Sequence, residues 1–126
     1  MFMVEPTLIR HIRGLRPDAV VTVAEGETDL DKPEIITVSA SAFPFGGGMG
    51  VRWLVSFMVF VWQDRTKAMT ISREIIQSLD RAVDVGQLGK VVSFEPTQLP
   101  SLAPNSNASQ GHVAVSFLAE LRAHYH

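Results

Sequence analysis

The residues with the most obvious chemical potential are carboxylates. Glu25, Glu27, Asp29, Asp31 and Glu34 follow one another, relieved only by Lys32. Alternating acids can hold a divalent cation, but an EF-hand needs a glycine at its sharp turn and a closing carboxylate at a fixed distance. Gly26 stands in the wrong place for that turn, so the run reads as a solvated acidic loop that self-repels into water. His124 and His126 could share a metal on extended chain, yet a zinc site takes more ligands, and spacing brings neither His112 nor His11 to complete one. The glycines at 46, 47, 48 and 50 precede a strand instead of a helix, and no lysine follows them. They therefore do not form a phosphate loop, whose anion rests on the amides of a helix N-terminus. There is no cysteine for a thiolate, and no motif marks a serine, histidine and acid as a catalytic set. The chain reads as a non-enzyme without metal or cofactor.

What remains is chemistry between surfaces. Arg10, Arg13 and Arg16 crowd the C-terminal end of the first expected helix, where the dipole favours cations. They form either a solvated, dipole-matched face or a basic patch for an acidic surface. Between copies, that patch can face the Glu25, Glu27, Asp29 and Asp31 loop of a neighbour and steer the encounter. Phe43, Phe45 and Met49 flank the glycine-rich tip and suit an arm that packs on another chain, the alternative being a merely mobile loop.

The elements that position these groups follow from periodicity. Val51 to Trp62 is the longest apolar run, rich in β-branched and aromatic residues, and reads as a central strand. One face carries Val51, Trp53, Val55, Phe57, Val59 and Val61. The other starts with Arg52 and Ser56 and ends with Met58, Phe60 and Trp62. Asp64 is a good N-cap for a helix to about Val83, whose Ala68, Ile71, Ile75, Leu79 and Ala82 form one stripe. This stripe is expected to cover Met58, Phe60 and Trp62, in a core centred on Trp53, Phe57 and Phe60 with Ile71, Ile75 and Leu79. Pro6 to Leu15 reads as a short helix, and Ala19 to Val23, Glu34 to Ser41, Lys90 to Phe94 and Gly111 to Leu121 as strands. Residues 44–50 are a flexible hairpin tip and 98–110 a loop; within them Gly46 to Gly50 and Ser101 to Gln110 are expected to order only at an interface.

A chain of 126 residues with a formal charge of −2 is one domain, residues 1–126, with no chain-wide nucleic-acid footprint. Its start lacks a basic flank and a long apolar core, so a signal peptide is not expected, and the protein reads as soluble and intracellular when made. The order α-β-β-β-α-β-β suggests an α+β fold: one mixed, mostly antiparallel sheet with two helices packed over it.

That order, with certain residue habits, resembles the tail terminator (tail completion) proteins of long-tailed bacteriophages and related prophages. The likeness runs through Leu15-Arg16-Pro17, Val20 to Val23, Lys32 to Val38, and Val61-Trp62-Gln63-Asp64 with the helix around Ala68 to Leu79. It continues in Glu95-Pro96, the Leu99 to Pro104 stretch and the strand Val113 to Ala119, and so covers nearly the whole chain. The tip at Gly46 to Gly50 is longer than the family pattern. The resemblance implies a structural protein forming a ring, typically a hexamer, that caps the tail tube and joins it to the head. Its partners would be further copies, the tail tube protein and a head-connector protein. DNA would pass through without sequence reading, no membrane would be involved, and the place would be the tail or neck of a virion assembled in the host cytoplasm. The alternatives are another head–tail connector, a tail-tube-like component, or a small ligand-binding α+β domain.

Overall fold

The computed structural model describes residues 4–23, 33–45, 50–102 and 112–124. Helix α1 (Val4–Leu15) leads into strands β1 (Val20–Val23), β2 (Glu34–Phe45) and β3 (Gly50–Trp62). Helix α2 (Arg65–Asp84) then returns the chain to β4 (Val91–Leu102) and β5 (His112–His124). The five strands form one mixed sheet in the order β1-β2-β3-β5-β4, so the fold is α+β as expected. β3 is central. It pairs antiparallel with β2 on one side and β5 on the other over its whole length. β1 alone runs parallel to its neighbour, Val20 to Val23 lying beside Ile35 to Val38.

Both helices cover the same face of the sheet. Val4, Leu8 and Ile12 of α1 and Ala68, Ile71, Ile75, Leu79 and Ala82 of α2 are buried in one cluster with Ile36, Val38, Trp53, Val55, Phe57, Val59 and Val61. Phe117 of β5 stacks on Phe57 within it, ring centroids 4.7 Å apart. The expectation that α2 covers Met58, Phe60 and Trp62 is therefore wrong. Those residues lie on the other face, where Phe60 joins a separate small cluster with Ile35 and Ala114. The odd-numbered face of β3 is apolar from Val51 to Val61, and a helix stripe gains most from the face that is apolar throughout.

The strands are longer than the sequence suggested. β2 and β3 pair up to Phe45↔Gly50, so only residues 46–49 of the expected 44–50 tip lie outside the described residues. Gln98 to Leu102, expected in a loop, is strand; residues 103–110 of that loop are not among those described. Pro96 and Pro100 concealed this. β4 is an edge strand with register shifts at Val91/Ser93, Pro96/Gln98 and Gln98/Ser101, and an edge tolerates a missing amide where a central strand does not.

Two short turns aim α2. Gln63 takes a positive φ of 51°, which swings the chain out of β3. Asp64 then caps the helix, its Oδ1 accepting from the Lys67 amide at 2.9 Å. Asp64→Ala should cost about 1 kcal/mol of stability. A denaturant midpoint identical to that of the unaltered protein would show the cap to be idle. At the other end Gly86 and Gly89 adopt left-handed φ values of 76° and 61°, and the Gln87 amide closes back on the Ala82 carbonyl at 2.8 Å.

Candidate functional site

The three arginines expected to form one basic patch have three different fates. Arg16 follows α1, and its guanidinium grips Glu34 at the start of β2, Nη2 to Oε1 at 2.6 Å and Nε to Oε2 at 3.3 Å. Its Nη1 also lies 3.7 Å from Glu74 of α2. The hydrogen bond with Glu34 raises the Arg16 pKa further above its ordinary value. Arg13 donates from Nη2 to the Val21 carbonyl at 3.0 Å, tying α1 to β1. Both side chains are thus engaged within the chain. Arg10, which is exposed, makes no ion pair with the described residues. The acidic loop expected to face this patch, with Glu25, Glu27, Asp29 and Asp31, lies outside the described residues. Glu34, assigned to the same acidic run, is a buried partner of Arg16 instead.

Of the expected aromatic arm, Phe43 is 40% exposed on β2, Phe45 ends β2 opposite Gly50, and Met49 lies outside the described residues. Phe43 belongs to something larger. The sheet face opposite the helices carries Leu54, 43% exposed, and Leu118, 38% exposed. Phe43 stands across from Arg52, two residues before Leu54; Leu118 stands across from Ser56, two residues after it. Diagonal neighbours of this kind are within reach of long side chains, so the three form an apolar stripe crossing β2, β3 and β5. Sequence reasoning missed Leu54 and Leu118, because their relation exists only once the register is known.

Charges border this stripe. Arg52 and Arg122 sit directly opposite each other on β3 and β5, an unfavourable pair by itself. Glu120 lies between them, its Oε1 2.8 Å from Arg122 Nε and 4.0 Å from Arg52 Nε. The Arg52 guanidinium also stands over the Phe43 ring, 5.8 Å from its centroid. Glu95 of β4 pairs opposite Glu120, so the border holds both signs. At the far end of the same face Trp62, 48% exposed, meets the buried His112 edge to face.

On the helical side His11 Nε2 lies 2.7 Å from Ser78 Oγ and links α1 to α2. Burial lowers the His11 pKa, so the ring is neutral at neutral pH. No carboxylate among the described residues hydrogen-bonds the ring, so the contact lacks the orienting acid of a nucleophilic triad. Among the described residues no three His, Asp or Glu side chains gather as a metal site, and no helix is long and apolar enough to cross a membrane. The molecule presents a layered α+β fold with the helices on one sheet face; on the other face Ile35, Thr37, Phe60, Ala114 and His112 are buried toward one end, and Phe43, Leu54 and Leu118 are exposed toward the other. Comparison with protein-family models and with curated proteins finds no match to this chain.

Proposed function

We propose that the chain is a structural subunit of a closed ring, of the tail terminator kind that caps a phage tail tube and joins it to the head. The observation that supports this reading most is the exposed apolar stripe on the sheet face opposite the helices. Both helices lie on one face, while the other exposes Phe43, Leu54 and Leu118 beside an Arg52–Glu120–Arg122 cluster. Exposed apolar side chains that lie together and are rimmed by charges suit the centre of an association surface. A border of both signs suits a heterologous contact, in which one patch meets a different patch of the next copy and the rotation closes. The order of elements and the residue habits of the chain support the same reading.

Native mass spectrometry of the purified chain should give a ring-sized oligomer, and Leu54→Asp with Leu118→Asp should reduce it to a folded monomer. Both side chains are only about 40% exposed and Leu54 stands directly opposite Glu120, so the paired change should cost about 1–2 kcal/mol, and far-UV circular dichroism checks that the monomer remains folded. A strict monomer at every concentration, or an oligomer indifferent to both substitutions, overturns the proposal.

A further inference from the structure

An open groove of about 460 Å³ runs between α1 and the turn that follows α2. Thr7, Arg10 and His11 line it from the helix, and Gln87, Leu88 and Gly89 from the turn. None of the six is acidic. Arg10 supplies the groove's permanent positive charge, and unlike Arg13 and Arg16 it is not committed to any described residue. Leu88, 1% exposed, forms an apolar floor.

The other polar groups are suited to donate. A neutral imidazole has one donor nitrogen and one acceptor nitrogen. If the Ser78 hydroxyl donates to His11 Nε2, the ring proton resides on Nδ1 and is available outside that contact. The Gln87 side-chain amide brings two more N–H groups. The Gly89 N–H has no backbone partner among the described residues. An uncommitted guanidinium fork, neutral donors and no acid among the lining residues form a receptor for a planar anion.

We infer that this groove binds a carboxylate, gripped by Arg10 and oriented by Gln87 and His11. A single permanent positive charge matches a monoanion, whereas a doubly charged phosphate would leave one charge uncompensated beside the apolar floor. The carrier is either a small organic acid or an aspartate or glutamate of a second copy. The site stands whether or not the ring reading does.

The test is a titration of isotope-labelled protein with acetate, against sodium chloride at equal ionic strength. Acetate should give saturable shifts at the Gln87 side-chain amide, the Gly89 N–H and Arg10 Nε. Arg10→Gln should weaken them roughly tenfold or more, the loss expected for a charge-assisted hydrogen bond. The exposed Arg65, outside the groove, provides the control: Arg65→Gln should bind acetate as the unaltered chain does. Shifts no larger than with chloride, or an Arg10→Gln protein that binds as well as the unaltered chain, overturn the inference. Sedimentation of the same samples separates the two sources. If acetate and Arg10→Gln both reduce self-association, a second copy supplies the carboxylate. If acetate binds and sedimentation is unchanged, the ligand is a free acid.

Discussion

Replacing Leu79 with alanine should lower the free energy of unfolding by about 2–5 kcal/mol, a large share of what a domain of this size possesses. Leu79 is fully buried on the inner face of α2, in the cluster that holds Phe57 and Phe117 at the centre of the sheet. Its removal forfeits the transfer free energy of the lost methyl groups and leaves a cavity between a helix and a sheet that collapse only in part. The same measurement decides which face α2 covers. Phe60 lies across the sheet in its own small cluster, so Leu79→Ala and Phe60→Ala should add to within about 0.5 kcal/mol in a double-mutant cycle. A coupling above about 1 kcal/mol would place Phe60 under the helix and refute the layering described here.

That cycle addresses the point at which sequence reasoning went astray. The hydrophobic run of β3, the α2 stripe and the Asp64 cap were all legible, because each depends on short-range periodicity or on a single side chain. The face of β3 that the stripe covers was misread because Met58, Phe60 and Trp62 are apolar too, although Arg52 and Ser56 on their face already favoured the other. β4 was cut short for a similar reason. Pro96 and Pro100 argue against a strand in general, and only the position of β4 at the edge removes the objection. The parallel pairing of β1 with β2 is a long-range fact that no short window contains.

The candidate surfaces follow the same division. Arg10, Arg13 and Arg16 could be located on one helix end from the sequence, but their fates depend on Val21, Glu34 and Glu74, which the fold brings up from other elements. Composition grouped Glu34 with the acidic loop, while the sheet places it at the first position of β2, opposite Val61 and against Arg16. Leu54 and Leu118 read as ordinary strand residues until their register makes them diagonal neighbours.

Arg16→Met should destabilise the protein by about 3 kcal/mol, the low end of what removing one partner of a buried ion pair costs. The Glu34 side chain is 6% exposed and that of Arg16 27%, so the carboxylate loses its partner in a place that water barely reaches. Lys67 cannot substitute. Its Nζ is 4.0 Å from Glu34 Oε1 on a half-exposed side chain and offers one long contact in place of a fork. The cost is that of stranding a charge, not the worth of the bond, so a second change should relieve it. Arg16→Met combined with Glu34→Met should recover most of the loss, because replacing a buried pair by apolar groups of similar size is often neutral. Added salt should leave the Arg16→Met penalty nearly unchanged, since a buried pair is screened far less than an exposed one. Arg10→Met provides the contrast: Arg10 is exposed without an ion pair to the described residues and should change stability by less than about 0.5 kcal/mol. Chemical denaturation of the four proteins measures all of this. If Arg16→Met costs no more than Arg10→Met, the Arg16–Glu34 contact does not clamp α1 to β2, and Arg16 returns to the surface patch with Arg10.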